Sequence, residues 1–328
     1  MLEKIKNAIP KEFKGVLQIV KNNELIWQEA YGYAELSNKR PNLVDTKFAI
    51  ASGTKSFVAF GIIKLIEQGK LSFETKLGEI LQIGYEDITV KELLTHTSGI
   101  PDYLDEKLDT NSVWDSFPLH VYKIRKNSDV LPYLQGKELK SKEFIYSNAG
   151  YIVLGAIIEK LTGIDFDCFL KSELFEPLEM ANTDYFELDR LPSNCANGYW
   201  FDEEKGEYVN AFYNTSAKGL ADGSGFTTVD DLNKFWQFII KNHKEMFETH
   251  AISKEDEDGD RNLYGYGFWL GEAEDEKGAA YKVPYMQGYE SGTSFISSYD
   301  FKKGLNVTII SNYTDDIWEL HSKLREIF

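Results

Sequence analysis

The alternation of apolar and polar residues at both ends of the chain constrains its fold more than any other feature. Near the N-terminus, GVLQIVKNNELIWQEAYGYA alternates on both sides of Asn22-Asn23, which predicts a β-hairpin with strands Gly15–Val20 and Leu25–Tyr31. Near the C-terminus, four strands are predicted in YGYGFWLGEA, AAYKVPYMQG, TSFISSYD and LNVTIISN, followed by an amphipathic helix in DDIWELHSKLREIF. Because the middle of the chain has a helical pattern, we expect one sheet that is built from both termini and interrupted by a helical insertion.

The predicted fold class is therefore α+β, an α/β sandwich in which helices flank an antiparallel sheet and an all-α insertion interrupts it. The 328 residues suggest about two domains under a prior of roughly 150 residues each. We place a discontinuous sheet domain at 1–74 plus 226–328, a mainly helical insertion at 75–225, and a candidate site between them. Helices are predicted over Ser52–Gln68, in TVKELLTHTSG after a Thr89 cap, in NAGYIVLGAIIEKLTG up to Gly163, and in TVDDLNKFWQFIIKN after a Thr228 cap.

The composition limits the partners that such a protein can bind. A net charge of −17 disfavours binding to the phosphate backbone of nucleic acids or to an anionic membrane surface. We expect a small-molecule or peptide substrate that is neutral or cationic near the site, or that is held by local positive charge. Cys168 and Cys195 are too few for a disulfide framework and are interpreted as free thiols.

The N-terminal stretch MLEKIKNAIPKEFKG is charged and lacks the apolar core of a signal peptide. The apolar runs, of which YIVLGAII is among the longest, fall well short of the roughly 20 residues of a membrane span. These features favour a cytoplasmic protein, although a secreted chain trimmed of its leader would look the same.

Polar residues open an otherwise apolar helix in FAIASGTKSFVAFGII, residues 48–63. A helix that is apolar on nearly all sides is buried, and a buried lysine is costly unless its charge is paired or used. Either Lys55 extends its ammonium group to water, or it belongs to a site. Ser52 and Lys55 lie one turn apart on one helix face, and the helix N-terminus favours negative charge that develops near the serine. Because a lysine in a dry pocket loses proton affinity, this pair is a candidate nucleophile and base.

The stretch IYSNAGYIVLG supplies a second candidate pair. Tyr146 and Asn148 are two residues apart just before a predicted helix, so in an extended segment both side chains can point into one space. A tyrosine near an ammonium group can act as a general base, and an asparagine amide can hold a substrate carbonyl. In the alternative interpretation, Asn148 only caps a helix that begins at Ala149, and Tyr146 is a packing residue.

Other common site patterns do not occur in the sequence. DGSGF around Ser224 has Asp222 where a Gly-x-Ser-x-Gly motif needs glycine. The five histidines lack the spacing of a zinc site, and His96 is interpreted as structural. We therefore expect neither a metal nor another cofactor.

The acidic stretches FDEEKGE, SKEDEDGD and EAEDEKG are interpreted as solvated loop tips. Calcium binding by EDEDGD is the alternative, although this stretch lacks the spacing of an EF-hand.

Several stretches, taken in their order along the chain, resemble the serine β-lactamase-like family of class C β-lactamases, D-Ala-D-Ala carboxypeptidases and related esterases. FAIASGTKSFVAFGIIKLIEQGKLSFETKL resembles the helix that carries the family's nucleophile, KELLTHTSGIPDY its helix-and-turn signature, and YSNAGYIVLGAIIEKLTG its Tyr-x-Asn motif. PLEMANTDYF, ADGSGFTTVDDLNKF and YGYGFWL are similar to later landmarks. The resemblance covers nearly the whole chain and implies the β-lactamase/transpeptidase-like fold.

The resemblance also implies a role for each candidate residue. It implies that Ser52 is an acylated nucleophile, that Lys55 and Tyr146 share proton transfer, and that Asn148 contacts the substrate amide. By its position after GIPD, Tyr103 is expected to line the substrate pocket. The implied protein is a serine hydrolase; the alternative is a catalytically weak or inactive penicillin-binding-like sensor, which would acylate once or not at all.

The family's third motif is altered in this sequence. It has Lys or His, then a small residue, then Gly, on a strand shortly before the last strand. Counting back from VTIISN places it at MQG, residues 286–288, where Met286 replaces the cation and Gly288 is kept. A shifted register would use ESG, residues 290–292, which also lacks a cation.

An oxyanion hole can persist in either register, because backbone N–H groups form it. The donors would be Ser52 with Tyr289, or Ser52 with Thr293 in the shifted register. What is lost is the cation that helps to bind a substrate carboxylate. An ester or amide without a free carboxylate is therefore favoured over a penicillin or a D-Ala-D-Ala end, with carboxypeptidase and weak β-lactamase activity as the alternatives.

Overall fold

An eight-stranded antiparallel sheet forms the centre of the fold, and strands from the two ends of the chain are neighbours in it. The computed structural model of the protein describes residues 1–103, 117–255 and 261–328. The strands are β1 (Gly15–Lys21), β2 (Glu24–Tyr31), β3 (Tyr33–Glu35), β4 (Arg40–Pro41), β5 (Phe48–Ala49), β6 (Tyr199–Asp202), β7 (Glu207–Asn210), β8 (Phe226–Thr227), β9 (Ala251–Ile252), β10 (Leu263–Tyr264), β11 (Trp269–Glu274), β12 (Ala280–Glu290), β13 (Thr293–Asp300) and β14 (Leu305–Ser311). The large sheet has the order β2-β1-β14-β13-β12-β11-β10-β9, with Val16 opposite Ile310. The prediction of one sheet built from both termini is confirmed.

Helices cover both faces of this sheet. They are α1 (Leu2–Ala8), α2 (Lys55–Glu67), α3 (Val90–Leu94), α4 (Asn127–Val130), α5 (Asn148–Thr162), α6 (Phe166–Leu170), α7 (Val229–Asn242) and α8 (Trp318–Glu326). One face packs on α1 and α8 through a core that includes Ile19 and Val307. The other face packs on α2 and α7, where the rings of Phe57 and Phe235 meet edge to face with 4.8 Å between centroids. The sequence therefore predicted the fold class correctly.

The segment between the two halves of the sheet is mostly but not entirely helical. The helix α5 is buried along most of its length and packs on α2 and α3. However, β6 and β7 pair as a hairpin, so the expectation of an all-α insertion is wrong in this detail. Aromatic and β-branched residues on both sides of DEEKGE, which favour paired strands around a turn, are the physical reason. The division of the chain into two domains stays a prediction.

Several predicted helix ends are confirmed by their capping contacts. Thr89 and Thr228 accept backbone N–H bonds at the starts of α3 and α7, and Gly163 ends α5 in a left-handed conformation with φ of 76°. The predicted helix over 52–68 instead begins with a 3₁₀ turn, Ala51–Thr54, and becomes α-helical at Lys55.

Within the described ranges, every helix is too short or too polar to span a bilayer. Most of the acidic stretch SKEDEDGD, including residues 256–260, lies outside these ranges.

A buried histidine gives the fold a testable dependence on pH. His321 of α8 lies against the sheet, with its Nε2 2.8 Å from Ser298 Oγ. Burial, with a smaller contribution from Arg325, lowers the pKa of His321 from 6.5 to about 3. Between these two values the unfolded chain binds more protons than the folded chain, so acid destabilises the fold below about pH 6.5.

We expect His321→Gln to reduce the loss of unfolding free energy between pH 7 and pH 5 by about 2 kcal/mol, because glutamine keeps polar atoms but does not titrate. Urea denaturation at the two pH values measures this loss. His120→Gln, at an exposed position, is the control variant. Equal acid-induced losses in the wild type and His321→Gln would contradict the prediction.

Candidate active site

The ammonium group of Lys55 is buried at the start of α2, with the residue only 1% exposed. Its Nζ donates hydrogen bonds to Ser52 Oγ at 2.9 Å, to Asn148 Oδ1 at 2.8 Å and to the backbone oxygen of Asp222. These acceptors match the three donors of an ammonium group, which explains how a charge is tolerated in the core. The alternative in which Lys55 extends to water is therefore wrong.

Ser52 is held in a strained 3₁₀ turn. The preceding residue, Ala51, has φ of +43°, which is unusual for a residue with a side chain. Two hydrogen bonds to the Ala51 carbonyl oxygen hold this conformation, one from Thr54 Oγ1 at 3.0 Å and one from the backbone N–H of Ser224 at 3.1 Å. Backbone strain of this kind persists only where the surroundings enforce it. The turn directs Ser52 Oγ toward Lys55.

The structure also brings Tyr146 and Asn148 to Lys55. Ser147, not Asn148, is the N-cap of α5, so the alternative in which Asn148 only caps a helix is wrong. The ring centroid of Tyr146 lies 5.0 Å from Lys55 Nζ, within the range of a cation–π interaction. This ring also stacks on Trp269 of β11 with 5.6 Å between centroids.

His96 supports the segment that carries Tyr146. Its Nδ1 accepts the backbone N–H of Ser147 at 3.1 Å, and its ring lies 4.5 Å from that of Tyr146. Burial, and next the charge of Lys55, lower the pKa of His96 well below its usual range. The imidazole is therefore neutral with its proton on Nε2, in keeping with a structural role.

The close approach of β12 to the Ser52 turn occurs at Gly288. A Cβ atom at this position would lie 2.2 Å from the backbone oxygen of Ile50 and 2.9 Å from the amide nitrogen of Ser52. Only glycine permits such an approach. Gly292 instead packs on the backbone of Gly198, so the shifted register of the third motif is wrong.

Tyr289 and Met286 of β12, which lie on either side of Gly288 in sequence, point to opposite faces of the sheet. Tyr289 is 59% exposed and its ring lies 5.8 Å from that of Trp318 on α8, so its side chain points away from the site. Met286 is buried in the core on the same face as Gly288. A buried thioether replaces the positive charge that the third motif of the family supplies.

Tyr103 is buried in the site and is bound to a carboxyl group that the sequence reasoning missed. Its hydroxyl group donates to Asp222 Oδ2 at 2.5 Å. Burial raises the pKa of Asp222 to about 6, although Lys55 and the bond from Tyr103 act in the opposite direction. In the sequence, Asp222 was noted only because it breaks a Gly-x-Ser-x-Gly motif.

Two more acidic residues of the site were missed. Asp102 accepts the backbone N–H of Asn148 at 2.7 Å and so anchors the start of α5. Glu290, at the end of β12, accepts a hydrogen bond from Ser224 Oγ, which lies 2.8 Å from both of its carboxylate oxygens. A signal for Glu290 was available, because its even spacing from Gly288 places it on the same face of the strand.

The fold is that of the β-lactamase-type serine hydrolases. The Beta-lactamase family model matches residues 10–327, and the chain belongs to this family. It is 30% identical over 329 residues to penicillin-binding protein 4* of Bacillus subtilis (strain 168), covering 93% of this chain and 69% of that protein. The family resemblance seen in the sequence is therefore confirmed.

Solved structures give the same result for the fold. The penicillin binding protein from Bacillus halodurans has a TM-score of 0.88 and 28% identity, covering 100% of this chain and 98% of that one. The D-amino acid amidase from Ochrobactrum anthropi SV3 has a TM-score of 0.79 and covers 100% of this chain and 99% of its own. Its identity of 20% shows a likeness of fold alone.

The close approach at Gly288 gives a test of the site's geometry. The Cβ of Gly288→Ala would force β12 away from Ser52, and with it the backbone N–H of Tyr289, which the family resemblance predicts to be an oxyanion donor. Since loss of one oxyanion donor costs about 100-fold or more, we expect the rate of fluorophosphonate labelling to fall by at least that factor. Gly271→Ala on β11 is the matched control, because the nearest atom to its Cβ would be 3.6 Å away. Equal labelling rates for the two variants would contradict this geometry.

Proposed function

We propose that this protein is a serine hydrolase that cleaves an ester or amide through a covalent acyl intermediate on Ser52. The observation that carries the proposal is the 2.9 Å contact between Ser52 Oγ and the buried Nζ of Lys55. A serine hydroxyl is a weak nucleophile by itself and needs an adjacent group to take its proton. Lys55 is the group within hydrogen-bond distance, and the ring centroid of Tyr146 lies 5.0 Å from its Nζ.

In the proposed reaction, Ser52 Oγ attacks the substrate carbonyl carbon, and its proton passes to the Lys55–Tyr146 pair, which at this step holds one proton less than an ammonium group and a phenol together, as a neutral Lys55 amine or a Tyr146 phenolate. The backbone N–H groups of Ser52 and Tyr289 receive the negative charge on the carbonyl oxygen. The same pair then protonates the leaving alcohol or amine as its bond to the carbonyl breaks. A water molecule then gives a proton to the same pair and attacks the acyl carbon. The bond from this carbon to Ser52 Oγ breaks, the acid is released, and the pair returns the proton to Ser52. Asn148 Oδ1 holds the Lys55 ammonium group in place.

Met286 supports a substrate without a free carboxylate at the third motif. An uncharged thioether offers no attraction to a carboxylate, whereas Asp222 and Glu290 lie near the site and repel one. The relatives have names that span penicillin-binding proteins, an amidase and EstCE1, "a hydrolase with promiscuous acyltransferase activity". They support a hydrolase of esters or amides.

The alternative function is a sensor or binding protein that keeps the fold but does not turn over. The loss of the cation at Met286 is the observation that favours it. The two functions differ in turnover, because a sensor is acylated once or not at all whereas an enzyme releases many products per site.

Labelling of Ser52 is the decisive experiment. We expect intact-protein mass spectrometry to show one fluorophosphonate adduct on the wild type and none on Ser52→Ala, because only an activated serine reacts at a useful rate. A fluorescent penicillin, which carries a carboxylate, is expected to label more slowly. A folded wild-type protein that reacts with neither reagent would leave the proposed reaction without its nucleophile.

Lys55 gives a second test. We expect Lys55→Met to lower the rate of fluorophosphonate labelling by about 100-fold or more, because it removes the group that accepts the serine proton. Lys64→Met is the matched control on the same helix, where the lysine pairs with Glu67 at the surface. Thermal denaturation of each variant separates loss of chemistry from loss of the fold. Labelling of Lys55→Met at the control rate would exclude Lys55 as the base.

A further inference from the structure

A cavity with about 520 Å³ of empty space, part of it open to solvent, lies beside the Ser52 turn. Its wall includes Ser224, whose backbone N–H donates to Ala51 directly before Ser52. Leu188, Leu191 and Phe212 make part of the wall apolar. Through this contact the cavity wall is joined to the turn that carries Ser52, so a substrate whose carbonyl group lies at Ser52 could extend past Ser224 into the cavity.

Of the described residues that line the cavity, Glu290 alone has an ionisable side chain. Its carboxylate is fixed by Ser224 Oγ, 2.8 Å from both oxygens, and Thr215 Oγ1 lies 3.5 Å from Oε2. Among residues 1–103, 117–255 and 261–328, it forms no ion pair with a lysine, arginine or histidine. Two hydroxyl donors, one of them at 3.5 Å, do not satisfy the acceptor capacity of a carboxylate, so Glu290 keeps the ability to bind a cation.

The charges around Glu290 act in both directions on its ionisation. Burial raises the pKa of Glu290 to about 7, and the nearby Asp222 adds to this effect. The bond from Ser224, the charge of Lys55 and the contact with Thr215 lower it. The carboxyl group therefore changes its charge near neutral pH, and a cation bound beside it favours the ionised form.

We infer that Glu290 selects substrates that carry a positively charged group, which occupies this cavity while the scissile carbonyl group lies at Ser52. This inference rests on the proposed function and names the substrate class of the same site. The cation supplies the countercharge that the cavity wall lacks, and the apolar wall accommodates the alkyl part that carries it. Met286 and Glu290 lie on one face of β12. This face therefore presents an uncharged thioether, which does not attract an anion, and a carboxylate, which attracts a cation. The net charge of −17 favours the approach of such a substrate.

The test compares 4-nitrophenyl esters of acyl chains that end in trimethylammonium with esters of the same length that end in tert-butyl. The two end groups have the same shape and differ in charge. We expect kcat/KM to favour the cationic ester by about tenfold to a hundredfold in the wild type, the range for one contact with a buried charge. Glu290→Gln should bring the ratio close to one. Glu272→Gln, an exposed position on the nearby strand β11 with the same change of charge, should keep the wild-type ratio.

The dependence of this ratio on pH is a second measurement that needs no variant. The quaternary nitrogen does not titrate, so the ratio should rise as pH increases through about 7, where Glu290 becomes ionised. A ratio near one at every pH, or a ratio that Glu290→Gln leaves unchanged, would overturn the inference. If Glu290→Gln fails to fold, the pH dependence in the wild type still decides.

Binding to Ser52→Ala separates the failure of this inference from the failure of the proposed function. The ligands are the N-methylamides of the same trimethylammonio and tert-butyl acids, measured by calorimetry. Preference for the cationic amide, lost in Ser52→Ala/Glu290→Gln, would support the inference even if the wild type hydrolyses no ester. Equal affinity for both amides would refute the charge preference even if Ser52 is an active nucleophile.

Discussion

The arrangement of the site depends on one buried cation, the ammonium group of Lys55. Its acceptors come from three parts of the chain: the Ser52 turn, the first residue of α5, and the backbone at Asp222. Each acceptor would lose this donor if the cation moved away, and where the acceptor is buried that loss costs more than the hydrogen bond itself contributes. One charge therefore fixes the positions of three segments that are far apart in sequence. The backbone strain at Ala51 persists because the same surroundings hold the turn from both sides.

Two carboxyl groups lie near this cation, and each is held by a hydroxyl group instead of by the lysine. Asp222 and Glu290 both lie near Lys55, and burial raises the pKa of each toward neutrality. Tyr103 holds the first carboxyl group and Ser224 the second, so neither needs the lysine as a direct side-chain partner. The ammonium group therefore remains directed at Ser52 and Asn148.

Patterns that are local in sequence predicted much of the fold. The hairpin at the N-terminus, the four strands near the C-terminus and the threonine caps follow from alternation, turn residues and capping, which act over a few residues. The Ser52–Lys55 pair was found in the same way, since a lysine three residues after a serine in an apolar helix is a local conflict. Its resolution by tertiary contacts, with Asn148 among the acceptors, supports the rule that such conflicts mark sites.

Features that depend on tertiary contacts were less accessible. Asp102 and Asp222 accept hydrogen bonds from residues that are distant in sequence, Asn148 and Tyr103, and nothing in their own neighbourhoods indicates those partners. The choice between Gly288 and Gly292 in the third motif depended on which glycine meets another backbone. The β6–β7 hairpin was hidden because its short strands lie within a segment whose overall pattern is helical.

The close approach of Gly288 to Ser52 also determines when the chain becomes competent during folding. These two residues lie near opposite ends of the sequence, and contacts this distant must overcome a large loop-closure entropy before they form. A partly folded chain in which α2 and α5 had already met would possess Lys55 and Asn148 together, but no amide from β12. In the reaction proposed above, such an intermediate could not stabilise the oxyanion. The time at which hydrolytic activity appears during refolding would therefore report when β12 docks, rather than when the helices form.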